Sequence, residues 1–335
     1  VFYNPAMAGD RDLAVAFIRA WGARVAPGRS GWDVTAATGV RGLRLLHETT
    51  AFDHVTLTEA NLEAAGVLAQ NAARYPGAVA ARRDARILPD GGPFDYVDVD
   101  PYGTPAPFVN SALSAVRPGG VLAVTATDMM VLAGVQKGAC ERRYGARPLR
   151  GRLGPEGGLR ILLAYLAREA RTRHRAIRPL LCYTRDHHVR AYVEVSAEGE
   201  PSAEDPIQTV DSTTWSGPPL GEGGPFGPLW LGPLFDRGLV NALRVPSTAA
   251  RPRETSRFVE RLQEESAADC PFYYESNRLA GDLGLTRPPS LERLLLALRE
   301  RGFRAARTHA RPEGFRTDAP RPVLEVLART LSPTH

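Results

Sequence analysis

Residues 98–108 read DVDPYGTPAPF. A carboxylate at Asp100, a proline, the ring of Tyr102 and Gly103 stand together directly after the stretch from Phe94 to Val97, whose apolar character predicts a buried strand. Pro101 has no N–H and a fixed φ, so it stiffens the turn that aims its neighbours. An acid aimed in this way can accept a hydrogen bond from an amine N–H. An aryl amine delocalises its lone pair into the ring and is a poor nucleophile; an acceptor on its N–H draws that pair out of conjugation and fixes its direction. Tyr102 offers a flat face on which a base can stack. The plain alternative is an Asp-Pro turn that closes a strand.

In an open parallel sheet, ligands sit at the carboxyl ends of the strands, near the switch in strand order. Three further stretches fall at such ends. Residues 35–42, TAATGVRG, follow a short strand. Their small side chains let the backbone approach a ligand, and the helix that begins near Arg41 turns its free N–H groups toward whatever binds. Arg41 points to a carboxylate or phosphate nearby. Only Gly39 and Gly42 are glycines there, so the G-x-G-x-x-G pattern of a dinucleotide loop is missing, which argues against a nicotinamide cofactor. Glu59, after a second strand, can accept hydrogen bonds from both hydroxyls of a ribose, or can be a solvated residue or helix cap. Asp84, after a third, is placed to accept from an adenine amino group, or is an ordinary loop acid. These acids identify a nucleoside without naming the cofactor.

Such strand ends need a scaffold. The chain has 335 residues, 43% of them hydrophobic, enough for two domains with cores of their own. Up to about residue 180, strand-like and helix-like segments alternate as in a parallel α/β sheet. Helices are predicted over residues 10–21, 41–48, 61–75, 109–116 and 159–171, with strands at 31–35, 54–58, 78–80, 94–97 and 121–125; a turn is expected at 117–120, RPGG. The stretches from Leu180 to Tyr183 and from His188 to Val195 look like strands. Residues 196–228 are rich in Gly, Pro, Ser and acids and read as a loop-rich connection. Beyond it, helices over 256–267, 277–283 and 290–301 and a strand over 303–308 resemble a winged helix-turn-helix.

Composition narrows the classes. No run of about 18 apolar residues crosses a membrane, and there is no signal-peptide pattern. The chain opens at Val1 rather than methionine, so residues are expected to precede it. Cys140, Cys182 and Cys270 are odd in number and form no CxxC pair, which predicts neither a disulfide framework nor a zinc ribbon and favours a reduced, cytoplasmic protein. The net charge of +5 and pI near 9.3 are compatible with nucleic acid. Lys137 is the single lysine. A GC-rich genome explains that bias without function, although arginine suits phosphate forks and base stacking better.

The Asp100–Gly103 tetrad resembles the acid-proline-proline-aromatic tetrad of methyltransferases that modify exocyclic amines on bases. Further words extend the likeness: VFYNPAM at 1–7, DRD at 10–12, DVTAATGVRGLR at 33–44, VTATD at 124–128, RRYGARPLR at 142–150, GLRILLAYLAR at 158–168, YTRDHHVRAYV at 183–193, GPLWLGPL at 227–234 and RTHARPEGFRTDAP at 307–320. With them nearly the whole chain resembles the tRNA (guanine-N2)-dimethyltransferases acting at guanine 26, where the D stem meets the anticodon stem. The resemblance implies an α/β, Rossmann-like methyltransferase fold binding S-adenosyl-L-methionine over residues 1–180. It implies a smaller α+β tRNA-binding domain with the winged-helix-like element over 181–335. Arg11 and Arg41 resemble the family's cofactor-binding arginines, Glu59 stands at its ribose acid, and Asp84 and Ala85 stand at its adenine site. Asp100 resembles its catalytic acid, and Phe2 and Tyr102 its aromatic pair around the methyl group and target base. For Arg11, Phe2 and Ala85 the resemblance is the only warrant. Many members hold zinc through cysteines upstream of the stretch matching 227–234; this chain has none there, so no zinc is expected.

Arg142, Arg143, Arg147 and Arg150 form a dense basic stretch that reads as phosphate contact to tRNA, or as a solvated loop. His187 and His188 lack partners at metal-ligand spacing. The expected reaction is methylation of guanine N2 in tRNA, once or twice, with no obligate protein partner. Its rivals are an adenine N6 or cytosine N4 methyltransferase, a nicotinamide dehydrogenase lacking its glycine pattern, and a noncatalytic tRNA binder, which an intact Asp100 and Tyr102 disfavour.

Overall fold

The computed structural model describes residues 3–26, 28–197, 205–221 and 223–332. The chain runs α1 (Ala8–Gly22), β1 (Arg29–Asp33), α2 (Val40–Glu48), β2 (Phe52–Glu59), α3 (Leu62–Ala72), β3 (Ala78–Arg82), β4 (Phe94–Val99), α4 (Ala106–Ala115) and β5 (Val116–Ala126). It continues through α5 (Met129–Leu132), α6 (Lys137–Tyr144), α7 (Gly154–Arg171), β6 (Arg175–Arg185) and β7 (His188–Ala197). Seven strands form one sheet in the order β3-β2-β1-β4-β5-β7-β6. The first five are parallel, and the hairpin β6–β7 is added antiparallel to β5. The order reverses between β1 and β4, where Asp33, the last residue of β1, pairs in register with Asp98. A ligand crevice belongs above that reversal.

Central strands of a parallel sheet are buried on both faces, and β4 is buried at all six positions. Its acid Asp98 is tolerated because Arg190 on β7 grips it through two nitrogens at 2.8 and 2.7 Å. Burial opposes the charge on Asp98, and Arg190 together with Arg41 outweighs it, so the carboxyl stays below its ordinary range. The turn expected at 117–120 is instead part of β5, with Gly120 paired to Val195. Glycine permits this: a Cβ at Gly120 would stand 2.8 Å from the carbonyl oxygen of Asp95 on the neighbouring strand.

The second half contains β8 (Ile207–Val210), β9 (Phe226–Trp230), α8 (Arg237–Ala242), α9 (Pro252–Glu265), β10 (Tyr274–Glu275), α10 (Ser276–Asp282), α11 (Leu291–Glu300), β11 (Ala305–Arg307), β12 (Gly314–Thr317) and α12 (Arg321–Leu331). β8 and β9 pair within the stretch expected to be loop, and β10-β12-β11 make a small antiparallel sheet. The division expected at residue 180 falls inside β6, and the hairpin it opens completes the central sheet. The main core extends to Tyr273, and a second core, built on Leu294, Leu298, Phe315, Leu324 and Leu327, begins at Tyr274.

A buried charge network joins the two cores. Arg316 on β12 donates to both oxygens of Glu156 on α7, at 2.9 and 3.0 Å, and its Nε donates to Glu265 at the end of α9. Glu265 also accepts from Thr308 and contacts His309, whose other ring nitrogen accepts the N–H of Thr184 on β6 at 3.0 Å. Arg316, Glu156 and Glu265 are all essentially inaccessible to water, so the network excludes solvent from the joint.

Candidate active site

A cavity of about 880 Å³ opens over the β1/β4 reversal. It is walled by the ends of β1, β2 and β4, by residues 84–86 beyond β3, and by Tyr3, Asn4 and Met7 from the chain's beginning. The residues expected to carry chemistry converge on it: Arg11, Arg41, Glu59, Asp84, Ala85, Asp100 and Tyr102 all line it. Phe2 lies outside the described residues.

The β1–α2 loop is shaped by two left-handed residues. Gly39 at φ 81° is the N-cap of α2, with no side chain capping the helix end. Ala37 at φ 49° is a conformation L-residues seldom adopt. It turns the Ala37 N–H onto Glu59 Oε2 at 3.0 Å, while Glu59 Oε1 accepts the N–H of Asn61 at 2.9 Å. Each oxygen keeps a lone pair for a further donor, such as a ribose hydroxyl.

Arg41, in the first turn of α2, is ion-paired with Asp100 beyond β4. Burial works against the arginine's charge, but the Asp100 carboxylate, together with Asp98, outweighs it and the guanidinium is held well above its ordinary pKa. The Asp100 N–H faces Thr35 Oγ1 at 3.3 Å, which ties the β4 end to the β1 loop. Next to it Tyr102 is 75% exposed, its ring at the cavity mouth. Arg11 reaches in from α1, donating to the Asn4 carbonyl at 3.1 and 3.2 Å and to the Tyr3 hydroxyl at 2.9 Å, and it stacks over the Tyr3 ring. Asp84 is a surface carboxylate held by Arg86, whose side-chain and backbone hydrogen bonds lower it to about 2. Ala85 is buried, with its carbonyl fixed by Ser111 Oγ at 2.8 Å.

Three contributors escaped the sequence reading. Asp33 lines the cavity and accepts the Gly42 N–H at 3.1 Å. An acid closing β1, matching those after the other strands, was the available signal. Pro107 and Phe108 lie in the same quoted stretch as the tetrad and form wall, not linker. The Tyr3–Met7 segment falls within the family-like word at 1–7, yet nothing local named its residues for the site, since its place depends on Arg11 reaching back to it.

Of the basic residues, Arg142 and Arg143 stand exposed in the last turn of α6, and Arg150 is exposed on the following loop. Arg147 is turned inward: it is half-buried, donates to the Gly223 carbonyl at 2.5 Å and bridges Gly227 through its backbone. Among the described residues no group of three or more His, Cys, Asp or Glu is arranged to hold a metal, and no helix is long and apolar enough to cross a membrane.

Fold and site together define a Rossmann-like, adenosylmethionine-dependent methyltransferase. Residues 1–212 and 221–329 match the profile of the N2,N2-dimethylguanosine tRNA methyltransferases, and the chain belongs to that family. It is 36% identical to the tRNA (guanine(26)-N(2))-dimethyltransferase of Thermococcus kodakarensis, over 96% of this chain and 90% of the relative. It is 32% identical to the enzyme of that name from Methanosarcina acetivorans, over 99% and 92%. The structure of Trm1 from Pyrococcus horikoshii with S-adenosyl-L-methionine superposes with a TM-score of 0.84 at 30% identity, covering 99% of this chain and 95% of that one.

The cavity fits the cofactor. Its volume is ample for a nucleoside with an amino-acid tail and leaves room for a base, within the range of roughly 300–1,000 Å³ usual for ligand sites. Buried cations at Arg11 and Arg41 suit a carboxylate, and Glu59 suits vicinal hydroxyls.

Proposed function

We propose that this protein methylates the exocyclic N2 of guanine 26 in tRNA, giving N2-methyl- and N2,N2-dimethylguanosine. The observation that carries the reading is the placement of Asp100 and Tyr102 side by side at the mouth of a nucleoside-sized cavity, in a chain of this family. Arg11 and Arg41 would hold the cofactor's carboxylate, Glu59 its ribose, and Asp84 with Ala85 its adenine. When bound, adenosylmethionine supplies an electrophilic methyl group.

The protein's part is alignment and proton acceptance. Asp100 accepts an N–H of the guanine amine and turns its lone pair toward the methyl. Arg41 anchors that carboxylate from behind. Tyr102 receives the base on its exposed face, once the guanine has left the tRNA stack. Arg142, Arg143 and Arg150 contact phosphates, and the unit built on the second core adds tRNA surface. A cytosolic location follows from the substrate.

The test is nucleoside mass spectrometry on an unmodified tRNA transcript incubated with enzyme and adenosylmethionine. N2,N2-dimethylguanosine is expected, and both Asp100→Ala and replacement of guanine 26 by adenine should abolish it. A methylated adenine or cytosine instead would overturn the choice of base, and full activity of Asp100→Ala would overturn the role of the acid.

A further inference from the structure

Two large apolar side chains are exposed in the segment that follows the cavity-lining Thr127, Met130 at 56% and Val135 at 52%. Their place is set by the end of β5. Thr127, which lines the cavity, donates its N–H to the Gly103 carbonyl at 2.9 Å and accepts the Gly103 N–H on Oγ1 at 2.7 Å. The chain is thereby tied to the residue after Tyr102, and Met130 follows three residues on.

The support beneath is rigid. The Asp128 carbonyl accepts the N–H groups of Val131 and Leu132, and the Met130 carbonyl accepts that of Gln136 at 2.8 Å, which closes the loop carrying Val135. Val131 and Leu132 are buried under it. Leu132 sits against Gly158 of α7 so closely that a Cβ there would lie 2.8 Å from its own. Gly134, at φ 85°, packs on the next loop, where a Cβ would lie 2.4 Å from the Leu149 carbonyl oxygen. That contact sets the Arg150 backbone against Gly134, the residue before Val135. Arg143 reaches Asp128 at 3.4 Å, and Lys137 opens α6, whose sole acid is Glu141.

An apolar pair with Lys137, Arg143 and Arg150 on the neighbouring chain suits a polyanion that also offers flat apolar faces. A base that must leave a helix exposes its neighbours, and proteins that open nucleic acid offset that cost with apolar wedges between base steps. We propose that Met130 and Val135 form such a wedge. It enters the stack of the folded RNA next to the target guanine and fills the space that the base vacates. The flanking cations hold phosphates on either side. The wedge rests on the RNA methyl-transfer reading above.

The experiment compares two RNAs: folded tRNA, and the same tRNA with guanine 26 presented in a single-base bulge, already unstacked. Met130→Ala/Val135→Ala should lose on the order of tenfold or more in kcat/KM on folded tRNA and stay near wild type on the bulged RNA. Met130→Leu should restore most of the loss. With 2-aminopurine at position 26, the wild type should raise fluorescence on binding and the double variant should not. Met130→Gln/Val135→Thr, at the same exposed positions, gives the same pattern if the alanine pair folds poorly, which calorimetry with adenosylmethionine reports. Equal losses on both RNAs, or activity within about twofold of wild type on folded tRNA, would overturn the wedge and leave the patch to a protein partner. If the wild type does not methylate folded tRNA, the reading of function fails and the wedge with it; if it does, only the variant pattern judges the wedge.

Discussion

Arg41 and Asp100 form an ion pair in the cavity wall, joining the first turn of α2 to the loop beyond β4. The arginine side chain is 9% exposed and the acid 23%. The pair therefore links two strand ends that meet at the reversal of the sheet, and it fixes the acid in one orientation before any ligand arrives.

Removing Arg41 should be costly in two ways. Breaking one side of a buried pair costs about 3–5 kcal/mol, and the same guanidinium faces Asp33 and Asp98. Arg41→Ala is expected to lower the melting temperature and to weaken adenosylmethionine binding in calorimetry. Arg41→Lys keeps the charge but loses the planar fork, and should fall between. An unchanged melting temperature for Arg41→Ala would contradict the pairing.

Tyr102 should act through its ring, not its hydroxyl. Stacking on an aromatic side chain is worth about 1–3 kcal/mol per base. Tyr102→Ala is expected to lose about 5- to 150-fold in kcat/KM for tRNA, while Tyr102→Phe stays close to wild type. Adenosylmethionine affinity should move little in either, because the ring is at the mouth. Steady-state kinetics with tRNA as the varied substrate checks this.

Asp33 makes stability depend on pH. Burial, and after it the neighbouring Asp98 carboxylate, push its carboxyl up to about 7 against the opposing charge of Arg41. An unfolded aspartate loses its proton near about 4. Between about 4 and 7 Asp33 thus holds its proton more in the folded chain than in the unfolded one, and its contribution to stability falls as pH rises through that window. Asp33→Asn should flatten this slope in thermal melts without cofactor. A slope that the substitution leaves unchanged would assign the effect elsewhere.

Arg316 should hold the C-terminal unit in place. Arg316→Met leaves Glu156 and Glu265 buried with fewer cations, at a cost of about 3–5 kcal/mol. Faster limited proteolysis of the chain beyond Tyr273 is expected, and tRNA methylation should fall further than adenosylmethionine binding. Adding Glu156→Gln should recover part of the stability, because it removes one stranded charge. Proteolysis at the wild-type rate would show that apolar packing carries the joint alone.

The strand ends were legible because their signals are local. Short apolar runs followed at once by an acid or small residues marked β1 to β4, and Glu59, Asp84 and Asp100 stood out by position alone. Where a residue's role depends on distant chain, the reading was incomplete. Arg117–Gly120 reads as a turn by composition, yet β7 pairs with its last residue and draws it into β5. Arg147 reads like its basic neighbours, yet the segment around Gly223 claims it. The small residues around 207–230 hid a strand pair that forms only against its partner.

By itself the sequence determined the α/β alternation, the order of the acids along the sheet and the tetrad that pairs an acceptor with a ring. All of these follow from residue type and spacing within a few positions. Tertiary structure alone decided that Arg41 faces Asp100, that Asp33 shares their cavity, that Tyr3 and Asn4 fold back onto Arg11, and that β6 and β7 belong to the first core. Each of those depends on contacts between residues far apart in the chain, which local propensity does not encode and which burial and charge pairing select only once the sheet has closed.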